Sequence, residues 1–108
     1  NLNMSLTDEP LSKLIDQYDV VYASNITSAA VEAYQFGLPV ITMLDKTDLN
    51  FSPLRDETNV KFVSNKIDLL KAIEYINTMQ CEKIDNNNQN FFYLDSNFKR
   101  WNKILENK

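Results

Sequence analysis

The sequence predicts an α/β domain built on a parallel sheet, and three observations carry that expectation. Short apolar runs alternate with stretches of helical spacing, the pattern of strands joined by helical crossovers. The run V-I-T-M-L at residues 40–44 is apolar almost without interruption, as in a strand covered on both faces. The one glycine of the chain, Gly37, stands at the end of a helical segment with Pro39 two residues on. A glycine there can take a positive φ without strain, and the proline prevents the helix from continuing.

Each element follows in order. Residues 1–5 read as a strand end or a tail. Thr7 or Asp8 is suited to cap a helix whose first turn holds Pro10 and whose buried face holds Leu11, Leu14 and Ile15. Residues 19–23 (D-V-V-Y-A) read as a short strand, and 24–28 (S-N-I-T-S) as a polar turn leading into a helix over 28–36. After the strand at 40–44 comes a long polar connection, 45–58, containing Pro53; its Arg55, Asp56 and Glu57 read as a solvated charge cluster. Residues 60–63 form another short strand. Ser64 or Asn65 then caps a helix with Ile67, Leu70, Ile73 and Ile76 as its expected buried stripe. Residues 77–90, rich in asparagine, read as a linker or loop before a last helix that carries Phe98, Trp101, Ile104 and Leu105, expected to pack in the core or against another domain. The whole of 1–108 reads as one domain.

Composition narrows the function. At 108 residues with 44% hydrophobic and 24% charged side chains, the chain has an ordinary globular make-up. No apolar run approaches the length of a membrane span, and the first residues have neither the basic nor the apolar part of a signal peptide. The lone Cys81 has no internal disulfide partner, so a reducing, cytoplasmic setting is expected, and with no base beside it in the sequence it reads as inert. Histidine is absent, which excludes Ser-His-Asp triads, Cys-His dyads and histidine-ligated metals within this chain. A net charge of −4 argues against a broad nucleic-acid surface. A single nucleotide held by local dipoles remains compatible with it.

The informative unit is the strand–turn–helix of residues 20–37. In open parallel sheets, ligands bind beyond the carboxyl ends of the strands. Ser24, Asn25, Thr27 and Ser28 lie at such an end and precede a helix N-terminus, whose free N–H groups and dipole favour an anion. Serine and threonine also stand before helices as plain caps, so the residues alone leave capping and phosphate binding both open. Glu32 lies four residues after Ser28, on the same helical face, in a helix otherwise apolar or small and expected to be covered on most sides. Its carboxylate is suited to a ribose diol or, equally, to stabilising the helix start through the dipole. Asp45 and Asp48 stand three apart and form no D-x-D motif, so no metal is expected.

These residues carry a resemblance. D-V-V at 19–21 followed by S-N-I-T-S-A-A-V-E-A-Y-Q-F-G-L-P-V-I resembles the nucleotide-sugar-binding segment of GT-B glycosyltransferases, whose signature is a Ser/Thr-rich turn followed by E-A-x-x-x-G-x-P-V. The stretches M-L-D-K-T-D-L-N-F-S-P-L-R (43–55) and F-Y-L-D-S-N-F-K-R-W (92–101) resemble bacterial proteins of surface carbohydrate biosynthesis, which build lipopolysaccharide or capsule sugars. The resemblance implies a Rossmann-like parallel sheet with helices on both faces, the C-terminal half of a two-domain GT-B enzyme. It puts donor phosphate on the turn of Ser24, Asn25, Thr27 and Ser28, and ribose on Glu32. Asn50 and Ser52 would stand in a loop facing the sugar and the partner domain. The implied substrate is a nucleotide sugar, with no cofactor and no metal. The implied partner is the N-terminal domain of the same enzyme, with the inner face of the membrane approached only through the full-length protein. No Arg or Lys lies in the phosphate turn, so neutral donors act there, or a cation comes from Lys46, Arg55 or the other half. The catalytic residues are not legible. Two other classes share these features: half of a nucleotide-sugar epimerase with the same cradle, and a non-catalytic α/β interaction module such as a receiver-like domain, which lacks here a clear acidic cluster after the first strand.

Overall fold

A computed structural model describes residues 2–25, 27–79 and 99–106, with Arg100 by its backbone alone. Its heart is a three-stranded parallel sheet, β1 (Val21–Ser24), β2 (Val40–Met43) and β3 (Val60–Val63), in the spatial order β1-β2-β3. The helices are α1 (Leu11–Leu14), continued by a 3-10 turn Ile15–Gln17, then α2 (Ser28–Gln35), α3 (Lys66–Thr78) and α4 (Lys99–Glu106). The fold is α/β, as the alternation of patterns predicts.

The register assigns side chains to faces. Val21, Val40 and Val60 are lateral neighbours, as are Ala23, Thr42 and Phe62. The first row packs with Ala30, Val31, Ala33 and Tyr34 of α2 and with Ile15, so α1 and α2 share one side of the sheet. Ile41 and Val63 face the other way, against Leu69, Ala72 and Ile76 of α3. β2 is therefore covered on both faces, which is why its sequence is continuously apolar. Burying a side chain such as Val40 or Ile41 contributes roughly 1.5–3 kcal/mol.

The turn out of α2 has two specific bonds. Gly37, at φ 85°, donates its N–H to the Tyr34 carbonyl at 3.0 Å, and Leu38 donates to the Ala33 carbonyl at 3.1 Å. That pair of bonds is the Schellman motif, with buried Leu38 closing over Ala33. Phe36 is its C-cap rather than part of the helix. Val21 N–H then bonds the Pro39 carbonyl at 3.0 Å, so pairing starts where the turn ends. Asp19 and Val20, expected in the first strand, precede this first bond and lie outside the ladder.

Several expectations need correction. Pro10 is the N-cap of α1, not a residue of its first turn, and the Thr7 hydroxyl accepts the Glu9 N–H at 3.2 Å instead of capping the helix. The stripe expected on α3 is turned: Ala72 and Ile76 are buried, while Ile67, Leu70 and Ile73 are exposed, because the helix rests its 69–72–76 line on the sheet. Asn77 and Thr78 belong to α3; residues 80–90 of the expected linker lie outside the described residues, as do Cys81, Phe91, Phe92, Tyr93 and Phe98. In α4, Trp101, Ile104 and Leu105 are exposed rather than packed in a core. The connection at 45–59 is no free loop: Leu54 within it is wholly buried beneath α2 and the sheet. Glu57, read from sequence as solvated, is half-buried and accepts a hydrogen bond from the Tyr34 hydroxyl. Only Arg55 and Asp56 form a surface pair, at 3.5 Å.

Two predictions follow from this packing. Gly37→Val places a β-branched residue at positive φ and should cost at least about 1–2 kcal/mol. That lowers the melting temperature by at least several degrees, and an unchanged melting temperature would refute the helix stop. Burial first, and then the Glu57 carboxylate, hold the Tyr34 phenol protonated well above its ordinary value of 10.0. The native pKa is the raised one. The contribution is therefore complete below about pH 10 and lost as pH rises beyond it, by up to about 1.4 kcal/mol per pH unit. Urea midpoints followed from neutral to alkaline pH should fall less steeply in Tyr34→Phe than in wild type; equal slopes would contradict the burial argument.

Candidate functional site

The carboxyl ends of the three parallel strands open onto three polar segments, and the chain finishes each differently. After β3, the helix start carries a side-chain cap. Asp68 donates its N–H to Asn65 Oδ1 at 2.9 Å, and the Asp68 carboxylate accepts from Asn65 Nδ2 at 2.9 Å and from the Ser64 hydroxyl at 3.0 Å. The first bond is an N-cap; the return bonds run to the Asn65 side chain and the Ser64 hydroxyl and hold the cap in place. After β2, Asp45 turns the chain: its Oδ1 accepts the N–H and the hydroxyl of Thr47, each at 3.0 Å. Those two donors, the N–H first, hold the Asp45 carboxyl below its ordinary range.

After β1 the helix start has no side-chain cap. Thr27 is the N-cap residue of α2 by backbone (φ −115°, ψ 142°), but its side chain caps no N–H. Its hydroxyl donates instead to the Ser24 carbonyl at 3.2 Å, tightening the turn. Thr27 is half-buried, while Ser24 and Ser28 are exposed on either side of it. Asn25 is half-buried, and its Oδ1 lies out of solvent without a hydrogen-bond partner. The first amides of α2 are thus free of side-chain acceptors at the carboxyl edge of the sheet, where helix dipole and unpaired N–H groups favour an anion.

Glu32 lies one turn further along α2 with its side chain exposed and without a partner among the described residues. It shares an open stripe with Ser28, Ala29 and Phe36; α2 is covered on one side only, not on most sides as the composition of the helix suggests. Ser24, Asn25, Thr27, Ser28 and Glu32 therefore cluster around one helix start. Asn50 and Ser52 have a different role. Asn50 Oδ1 accepts the Ser52 N–H at 3.0 Å, and the buried Ser52 hydroxyl accepts the Leu54 N–H at 3.2 Å. Both side chains shape the crossover that delivers Leu54 to the core. Thr42, which sequence reading passed over as part of an apolar strand, is 2% exposed, and its hydroxyl has no partner. Its one polar atom in the run V-I-T-M-L was the only signal.

Among the described residues no three His, Cys, Asp or Glu side chains gather as a metal would require, and no helix is long and apolar enough to cross a membrane. Compared with known proteins, the chain matches no family model, no curated protein and no solved structure.

The unlike helix starts give a direct prediction. Asn65→Ala removes a working cap and should destabilise the domain by about 1 kcal/mol. Thr27→Ala removes only the bond to the Ser24 carbonyl and should cost distinctly less. Urea denaturation of the two variants checks the order, and the reverse order would show that Thr27 caps α2 in solution.

Proposed function

We propose that this chain is the donor-binding half of a glycosyltransferase that uses a nucleotide sugar in bacterial surface polysaccharide biosynthesis, working in the cytoplasm. The observation that carries the reading is the start of α2, which has no side-chain cap at the carboxyl edge of a parallel sheet, in a protein that caps α3 with Asn65. A donor phosphate accepts the first amides of α2, with the exposed hydroxyls of Ser24 and Ser28 as further donors. Glu32, one helical turn away, accepts from the ribose hydroxyls. The turn holds no cation, so binding rests on N–H and O–H donors and on the helix dipole, and is weak in the isolated domain.

The sequence signature E-A-x-x-x-G-x-P-V supports the same reading, since Glu32, Gly37 and Pro39 then have separate duties: ribose acceptor, helix stop and entry to β2. Glu32 is the one carboxylate of the cluster, and its assignment to ribose leaves no general base there for glycosyl transfer. Transfer also needs an acceptor held against the donor, and a second wall to exclude water. That wall is a partner domain, and the domain alone binds without turning over.

Titration of the ¹⁵N-labelled domain with CMP, UDP, GDP and ADP tests this. One of the four should shift the amides of Ser28, Ala29 and Ala30, and Glu32→Ala should weaken that nucleotide by roughly 1.5–3 kcal/mol, the worth of hydrogen bonds to a charged group. No shift with any nucleotide, or equal binding by Glu32→Ala, would count against the assignment.

A further inference from the structure

The sheet has an open edge at β1, and the chain carries a segment fitted to it. Val21 N–H points to β2, because it bonds the Pro39 carbonyl. Successive residues of a strand alternate in direction, so the N–H groups of Tyr22 and Ser24 point outward, away from β2. Among the described residues β1 is an edge strand with no ladder partner on that side. Neither Pro nor Lys, the usual guards of an open edge, stands in V-Y-A-S.

Residues 2–6 read L-N-M-S-L, strict alternation of apolar and polar side chains. They lie in no helix or strand, and Leu2, Met4 and Leu6 are exposed by 86% or more. Three large apolar side chains at spacing two, all in water, form one face of a strand without its sheet.

We propose that residues 2–6 are a fourth parallel strand of this sheet, added to the outer edge of β1 with Leu2, Met4 and Leu6 on the side of α1 and α2. Three constraints meet in that placement. Crossovers between parallel strands keep one hand. α1 and α2 lie on the same side of the sheet, so the two crossovers step in the same direction: β1 to β2 goes one way, and the strand before α1 lies on the far side of β1. The connection through α1, residues 7–20, is long enough for a parallel crossover of a dozen or more residues. The third constraint is coverage. On the α1/α2 side Val21 and Ala23 are half-buried, whereas on the α3 side Tyr22 and Ser24 are exposed. A strand beside β1 thus needs one apolar face and one polar face, which is the alternation that residues 2–6 have and the continuously apolar β2 has not.

Amide hydrogen exchange of the full chain, with NMR, decides it. Tyr22 and Ser24 amides should exchange about tenfold or more slowly in wild type than in Met4→Asp, because an added strand occupies them. Tyr22→Pro removes one outward N–H and leaves the Val21 bond to β2 intact, so residues 2–6 should lose their contacts with β1 while the domain stays folded. A sample mixed from ¹⁵N-labelled and ¹³C-labelled copies separates the sources of the strand. Contacts between residues 2–6 and β1 within one copy support the proposal; contacts only between copies would replace it with strand exchange in a dimer. Fast exchange of Tyr22 and Ser24 in wild type and Met4→Asp alike would overturn it.

Discussion

The left-handed turn at Gly37 is the constraint on which the rest depends. Two bonds, Gly37 to Tyr34 and Leu38 to Ala33, end α2 and point the chain back along the sheet. Pro39 then offers its carbonyl to Val21, which sets the register of β1 on β2. Through the next ladder the same register fixes Val60 beside Val40 and so the position of β3. A slip of one residue would exchange Val40 for Ile41 on the α2 side and invert every row. One residue with φ 85° thus determines which side chains are core and which strand ends meet at the candidate site.

The site itself is made by an omission. A side chain that could cap α2 is present in Thr27, yet its hydroxyl is turned to the Ser24 carbonyl, and the first amides of the helix are left without a side-chain acceptor. In α3 the Asn65 side chain does accept an amide, that of Asp68. The difference matters more than the overall charge of −4. At physiological salt, exposed charges beyond a Debye length of about 8 Å are largely screened, whereas N–H groups in contact with a ligand act at short range. A net negative charge therefore does not by itself oppose a small anion in contact with such N–H groups.

What the sequence made legible depends on how local the cause is. The Gly37 stop and the β3 boundaries are decided by a few adjacent residues and are as read; of Ser64 and Asn65, both suited to cap α3, Asn65 does so. Features decided by partners were not. The buried line of α3 could be Ile67–Leu70–Ile73 or Leu69–Ala72–Ile76 by spacing alone; the narrow sheet selects the second. Leu54 looked like one apolar residue in a polar loop, because only tertiary contact reveals that 45–59 crosses over the sheet. Glu57 looked solvated because Tyr34 is 23 residues away in sequence. In the cluster after β1, the residues Ser24, Asn25, Thr27, Ser28 and Glu32 were legible as neighbours of a helix start. The direction of the Thr27 hydroxyl was not, since it turns on a competition between two backbone groups.

Apolar exposure on this domain is uneven, and its distribution has a physical reading. α3 presents Ile67, Leu70 and Ile73 to solvent, the sheet presents Tyr22 and Met43, and α4 presents Trp101, Ile104 and Leu105. Single exposed hydrophobes are ordinary, but contiguous patches on a soluble protein usually mark contact with something else. Tyr22 and Met43 belong to the α3-side rows of the sheet. Lys61, in the same row as Tyr22, lies 4.1 Å from the Tyr75 ring, so Tyr75 marks the flank of α3 over β3. Ile73, two residues from Tyr75 and hence about 200° around the helix, lies on the opposite flank, toward β1. Among the described residues, Tyr22 and Met43 of the sheet and Ile73 of α3 are thus exposed on the same side of the sheet. Among the described residues the α3 side of the sheet is the barer one, and there Tyr22, Ser24 and Lys61 of the outer strands face it, while β2, between two layers, tolerates almost no polar residue.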